Sequence, residues 1–489
     1  MLRESLVYIL SRAVPSGIAF VTGMVLTWLL TPADYGVYGL GLAVVMLIAA
    51  VFFDWHGLSF MRFYQSEVEH PAFMPTILQT FLLLCLCSIV FTGAAYAGGV
   101  LTPDYGALLW ICVPGCWCYA WFELAVRMQI ARFRPAYYFW MNMVRNVGIF
   151  IVVLMLAWAT GSPFYVLAGS FLVMLGAGLI YLHPGFSLSP GLFDRNIAAR
   201  LWAFGWPIAV GRIIGSFSFA ADRFLLDKLS DKASVGFYTV AYSLAQMTIA
   251  TIATGIDSAI YSRAVKIADR NDPEALRAQL SKSCALMLAV TLPASVGVAM
   301  VAPALARLAV APDYVEPVSS LIVWMSAAAF LLNFRANYVD HGFHLGNTTG
   351  RLTTVITVMA IANIAGDLLL IPRYGAIGAA QASIIAGVVA MIHGVIAARS
   401  SIVLPFPKAE IAKIVLATLA MGAFLWPLRH ATAEIMAQHA PPWGIVLSIG
   451  VMLVQVGGGA AVFGAVALGL NVMNLRPLVL ARLGALRAR

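Results

Sequence analysis

Four arginines stand inside long apolar stretches of the sequence: Arg145, Arg212, Arg223 and Arg335. A guanidinium among leucines and valines is costly to strip of water, so it must face a cavity or a partner. Arg212 is the deepest of the four and follows Pro207 by five residues. On a helix, Arg212, Ser216, Phe219 and Arg223 fall at i, i+4, i+7 and i+11 and form one stripe. Such a stripe could hold a diphosphate, which guanidinium grips through paired hydrogen bonds. It could equally pair with an acid on a neighbouring helix and serve packing alone. Arg145 stands beside Asn142 and Asn146 near the end of its stretch, where snorkelling to the interface explains it as well as a ligand does.

A later stretch carries Asn333, Arg335, Asn337, Asp340, His341 and His344. Its Asn333, Asn337, His341 and His344 share one helical face, suited to sugar hydroxyls, to sensing protons, or merely to a polar helix end. Acids at membrane depth are the groups that ion coupling needs, and Asp54, Asp222 and Asp257 are the candidates, with Asp367 beside them. Glu123 and Arg127 lie four residues apart and are expected to pair with each other. No catalytic set emerges. Cys112, Cys116 and Cys118 have metal-like spacing, but their segment offers no histidine or acid to complete a site. All six cysteines fall in apolar stretches, where thiols act as small hydrophobes. No metal or cofactor is expected.

The elements that carry these residues must be membrane helices. Of 489 residues, 62% are hydrophobic and 10% charged, against about 25% charge in soluble domains. A spanning helix needs about 20 apolar residues. Hydrophobic runs broken by Gly, Pro and charge give fourteen spans, the second near 37 to 60, the seventh near 201 to 226, the eighth near 236 to 260 and the tenth near 318 to 340. The first is read as a helix of the chain itself and not as a removed signal. No polar break is long enough for a soluble domain and no GxxxxGK[ST] loop occurs, which argues against an anchored glycosyltransferase or a nucleotide-driven pump.

With the N-terminus inside, 21 basic residues fall in cytoplasmic segments and five outside, Lys228, Lys232, Arg307, Arg373 and Arg429. That asymmetry fixes an even number of spans with both termini cytoplasmic. Most of the net charge of +9 is thus a topology signal toward anionic lipid, and nucleic acid is not an expected partner.

Two stretches 200 residues apart look alike: Leu29 to Tyr38 (LLTPADYGVY) and Leu229 to Tyr238 (LSDKASVGFY), with Leu, Ala, Gly and Tyr coinciding at 29/229, 33/233, 36/236 and 38/238. Each joins a first span to a second, as in an internal duplication, a common device of transporters. The segment Ala221 to Tyr242, ADRFLLDKLSDKASVGFYTVAY, resembles the region after the seventh helix of O-antigen (Wzx-like) polysaccharide flippases, and Leu29 to Leu40 resembles the turn after their first helix. The hydrophobic-glycine run usual in that region reads Leu225-Leu-Asp-Lys-Leu-Ser-Asp here, with charges in place of glycine. These flippases belong to the multidrug, oligosaccharidyl-lipid and polysaccharide exporter superfamily.

The resemblance implies an all-α polytopic fold with two six-helix lobes around a central cavity, residues 1–190 and 191–400, and two additional spans with a basic tail at 401–489. It implies alternating-access transport of a polyprenyl-diphosphate-linked oligosaccharide to the periplasmic leaflet of a bacterial inner membrane. Arg212, Arg223, Arg145, Arg335, Asn333 and Asn337 would then line the cavity, and Asp54, Asp222 and Asp257 would be open to ion coupling. Expected partners are the lipid-linked glycan, membrane lipids, a glycan polymerase and a chain-length regulator. A cation-coupled drug exporter of the same superfamily, or a membrane-embedded polymerase or acyltransferase, stands as the alternative. Reporter fusions test the topology: a fusion at Arg270 should read cytoplasmic and one near Asp231 periplasmic, and a periplasmic signal at Arg270 would refute the span count.

Overall fold

A computed structural model describes residues 2–99, 105–180, 186, 192–270, 272–346, 348–437 and 443–477, with side chains at all of these except 2–13, 259, 349, 430–437 and 443–447. The tail arginines Arg482, Arg487 and Arg489 lie outside the described residues. Among those described, every regular element is helical. Among the described residues, twelve helices are long and apolar enough to cross a membrane, and two shorter apolar ones, Val14–Leu29 and Pro163–Leu179, bring the number to the fourteen expected spans. The protein is an all-α polytopic membrane protein.

The chain divides into two compact units, residues 1–236 and 237–489. The first holds α1 (Leu2–Leu29), α2 (Pro32–Phe52), α3 (Asp54–Glu67), α4 (Phe73–Ala97), α5 (Gly106–Ala131), α6 (Pro135–Thr160), α7 (Pro163–Leu179) and α8 (Arg195–Leu229). Here α2 packs on α5 and α8, α1 on α6, and α7 on α5 and α6. α3 lies along α8, where the Ser59 hydroxyl donates to the Leu201 carbonyl at 2.7 Å. Proline starts several of these helices, at Pro32, Pro135 and Pro163, where its missing N–H is no loss. Thr31 caps α2 by accepting from the Asp34 amide at 3.2 Å.

The second span is not continuous. The expected helix over 37 to 60 ends at Phe52, and a new one starts at Asp54. No proline or glycine sits at the break. The Arg127 guanidinium donates to the Asp54 carbonyl just past the break, at 3.3 Å, while Phe53 itself keeps helical bonds on both sides, its amide donating to Ala49 at 2.8 Å and its carbonyl accepting from Gly57 at 3.1 Å.

Helix α9 (Lys232–Ala268) carries the chain into the second unit, which contains α10 (Pro273–Ala309), α11 (Pro312–Phe334), a π turn (Arg335–Val339), α12 (His341–Leu345), α13 (Thr349–Tyr374), α14 (Ala376–Ala398), α15 (Lys408–Ala437) and α16 (Trp443–Gly469). Paired neighbours dominate: α13 with α14, α10 with α11, and α15 with α16, the latter two also packing on α10. Its core gathers Met287, Tyr338, Phe343, Val355 and Ile414 at full burial, with Phe334 nearly so.

The two copies of the repeated turn meet. α1 ends at Leu29 and α8 at Leu229, and α2 and α9 restart at Pro32 and Lys232. A Cβ placed on Gly36 would overlap the Lys232 carbonyl, and one on Gly236 would overlap the Pro32 carbonyl. Glycine at both positions is therefore a requirement of close backbone approach. Gly36→Ala and Gly236→Ala should each lower stability by about 1–3 kcal/mol through overpacking. Gly17→Ala, whose Cβ would meet nothing within 4 Å, should not. Thermal unfolding of the purified protein checks the contrast; equal effects at all three sites would refute it.

Candidate functional site

The break at Phe53 leaves Asp54 as the first residue of α3, where a helix N-terminus favours negative charge. Its carboxylate holds two arginines. Oδ1 accepts from Arg127 of α5 at 3.2 Å, and Oδ2 accepts from Nε and Nη2 of Arg212 of α8, both at 2.7 Å. The two-point contact from Arg212 is the planar fork that distinguishes Arg from Lys. Gly57 leaves room for the Arg127 guanidinium, because a Cβ there would overlap Nη1. Asp54 and Arg127 are nearly enclosed, with side chains 11% and 14% exposed, whereas Arg212 is 50% exposed. The Arg212 side chain is thus half open while the pair behind it is shut.

Glu123 and Arg127 do not pair as the sequence suggested. The Asp54 carboxylate claims Arg127, and Glu123 lies 3.8 Å from Arg145 of α6. The reason is tertiary: α3 packs on α5, and Asp54 there offers a better-enclosed partner than the i+4 contact along one helix. Arg145 also lies over the Phe122 ring at 4.7 Å, a cation–π contact. Asn142 and Asn146 beside it donate back to the Tyr138 and Asn142 carbonyls of their own helix. Over Asp54, Glu123, Arg127, Arg145 and Arg212, three cations face two anions.

The expected stripe on α8 does not present equal charges. Arg223 is buried, folds over the Phe219 ring at 3.7 Å and donates to the Phe219 carbonyl at 2.9 Å. Asp222 beside it is buried too. Of that stripe, Arg212 is the charge held open.

In the second unit, the π turn redirects the polar end of α11. Its wider winding brings residues five apart into register, with the Asp340 amide donating to the Arg335 carbonyl at 3.0 Å. Arg335 therefore reaches both oxygens of Asp340, at 3.2 and 3.0 Å, and the two charges close on each other inside the fold. Asn333 donates to Gln246 of α9 at 3.1 Å, and Asn337 donates to the Asn333 carbonyl. His341 also reaches α9, with Nε2 2.8 Å from Asp257 Oδ1 and its ring against Tyr261. Gln246 and Tyr261 were not among the sequence candidates; the spacing of Tyr261 one turn after Asp257 was the signal available.

The family model described as polysaccharide biosynthesis protein matches residues 1–267, more than half of the sequence. The chain belongs to the polysaccharide biosynthesis protein family. It is a membrane flippase or transporter of the multidrug, oligosaccharidyl-lipid and polysaccharide exporter superfamily, and the MatE family model matches residues 207–369. No curated protein matches the sequence significantly. Among solved structures, the fold resembles lipid II flippase MurJ in an inward closed conformation, with a TM-score of 0.76 and 15% identity over 98% of this chain and 100% of that one. It also resembles an inward-facing multidrug resistance MATE family transporter, with a TM-score of 0.63 and 12% identity over 80% of this chain and 97% of that one. A superfamily transporter from Pyrococcus furiosus, described as having a binding pocket of reverse polarity, gives a TM-score of 0.54 at 10% identity over 82% and 95%.

In this family member the arginine pair predicts unequal losses. Asp54→Asn strands an enclosed Arg127 and should cost about 3–5 kcal/mol, while Arg212→Ala removes a half-exposed partner and should cost about 1 kcal/mol or less. Thermal scans in detergent check the order, which a larger loss for Arg212→Ala would refute.

Proposed function

We propose that the chain moves a diphosphate-bridged, lipid-linked oligosaccharide from the cytoplasmic to the periplasmic leaflet of a bacterial inner membrane, with both termini cytoplasmic. The observation that carries this reading is the open guanidinium of Arg212. It is held by a carboxylate that already has a second, enclosed arginine, so an arriving anion can take Arg212 while Asp54 keeps Arg127. A diphosphate matches the fork through charge-assisted paired hydrogen bonds. The excess of cations over anions in the surrounding five side chains supports an anionic cargo and disfavours a cationic drug. Family membership supports glycan assembly as the pathway, and the fold of lipid II flippase MurJ is that of a protein whose cargo is lipid-linked.

A polymerase or acyltransferase would need outer loops to build a catalytic surface. The turns at 30–31, 161–162, 230–231, 310–311 and 375 have one or two residues each, and in a fourteen-span alternation all five fall on the periplasmic side. They leave little room there. A glycan polymerase and a chain-length regulator are the partners this pathway supplies.

Arg212→Ala should accumulate normally in the membrane, because Asp54 retains Arg127. Surface glycan should fall roughly ten- to hundred-fold, the equivalent of about 1.5–3 kcal/mol for hydrogen bonds to a charged group. Arg212→Lys should recover part of the loss, having charge without the fork. Quantifying surface glycan in a strain lacking the native chain checks this, and full glycan with Arg212→Ala would overturn the assignment.

A further inference from the structure

We infer that Trp206, backed by Trp202 and Trp55, is a platform on which a pyranose ring of the cargo stacks. This rests on the reading that the cargo is a diphosphate-linked glycan, and it gives the neutral sugar a place beside that of the anion.

Tryptophan at membrane depth commonly serves as an interfacial anchor, and several in this chain fit that use. Trp28 near the end of α1, Trp110 near the start of α5 and Trp158 near the end of α6 are largely exposed, and among the described residues none of them contacts another ring. Trp202 and Trp206 are built differently. They stand at i and i+4 on α8, and their rings stack with centroids 4.9 Å apart and planes 14° apart. Behind them the buried Trp55 of α3 meets Trp202 edge to face at 5.0 Å. The two helices are pressed together at this point. A Cβ on Gly205 would overlap the Ser59 hydroxyl and the Trp55 carbonyl, and that hydroxyl donates to the Leu201 carbonyl at 2.7 Å. A buried indole and a tight helix contact thus hold a stack whose members are 48% and 41% exposed. An anchor among fluid headgroups needs no such support, whereas a shaped ligand needs a surface fixed in advance.

Stacking on Trp202 leaves Trp206 a ring face turned the other way. An aromatic face is negative and attracts polarised hydrogens laid over it. A pyranose with equatorial hydroxyls supplies them, since its hydroxyls point round the rim and its face carries C–H bonds. The backbone adds an acceptor. Pro207 lies inside α8 and has no N–H, so the Ala203 carbonyl, which points along the axis toward it, loses its helical donor beside Trp206. A stacked ring can donate a hydroxyl there.

The platform continues the anion site. Trp55 follows Asp54, whose carboxylate holds Arg212. Along α8, Arg212 lies six residues after Trp206, a rise of about 9 Å and about a third of a turn round the axis. With the phosphate on the Arg212 fork, the first or second sugar reaches the indole. One helix pair then reads the cargo in two parts, its charge through Arg212 and its ring face through Trp206.

The test is calorimetric titration of the purified full chain in detergent with methyl-capped farnesyl diphosphate and with farnesyl diphosphate carrying cellobiose, lactose or chitobiose, all four bearing the same charge. At least one disaccharide probe should bind roughly three- to ten-fold tighter than the methyl-capped one, the range of an aromatic stacking contact. Trp206→Ala and Trp206→Leu should erase that gain and leave the methyl-capped probe as it was, Trp206→Tyr should keep most of it, and Trp28→Ala should change nothing. Absence of any gain in the wild-type chain overturns the platform, as does a gain that survives in a folded Trp206→Ala or Trp206→Leu. Failure of both variants to fold shows that the ring serves packing and overturns it too. Arg212→Ala should weaken all four probes alike and keep their ratio. A methyl-capped probe indifferent to Arg212→Ala counts against the cargo reading, and loss of the sugar gain alone counts against this one.

Discussion

The carboxylate of Asp54 is the constraint on which the first unit turns. Arg127 of α5 reaches both that carboxylate and the Asp54 backbone carbonyl, just past the interruption at Phe53. The break creates α3, and α3 is the helix that packs along α8 and brings Arg212 within reach of the same carboxylate. Remove the acid and two arginines lose their partner together, the enclosed one and the more exposed one. A buried charge pair of this kind adds little net stability compared with apolar packing. What it adds is geometry, a guanidinium held in place on a side chain that stays half exposed.

The second unit solves a related problem by winding. Six polar or charged side chains crowd the end of α11, and a regular helix would point Arg335 and Asp340 to different sides. Five residues of π winding bring them together, so that the strongest charges cancel locally. The milder groups, Asn333 and His341, are left to meet α9. In each unit, an irregular stretch of backbone inside a membrane helix sits where polar side chains converge, and in each the freed backbone is satisfied by protein rather than lipid.

How much of this could be read from the sequence depended on whether the signal was periodic or three-dimensional. The spans, their number and the matching turns at Gly36 and Gly236 follow from hydropathy, charge and a repeat, all linear features. Arg212 stood out because an arginine amid apolar residues is conspicuous anywhere. Its partner was not legible: Asp54 looked like an acid near a span end, since the arginine that encloses it lies 73 positions later. The same long-range contact explains why Glu123 and Arg127, ideally spaced for each other, do not pair. The π turn left no mark in residue spacing either, so the closure of Arg335 on Asp340 required the structure.

The meeting of Gly36 and Gly236 has a consequence for how that contact can evolve and part. Backbone touches backbone there, with carbonyls occupying the space where side chains would stand. Such a seam has no residue to optimise, so drift cannot strengthen it by adding a salt bridge or a larger apolar group. The contact at the glycines holds no ion pair, so it has little dependence on salt, while Tyr35 and Val235 buried beside it would have to be exposed before it could part. At the glycines, the fit of that joint is set by backbone geometry, and the side chains on either side of it supply the burial.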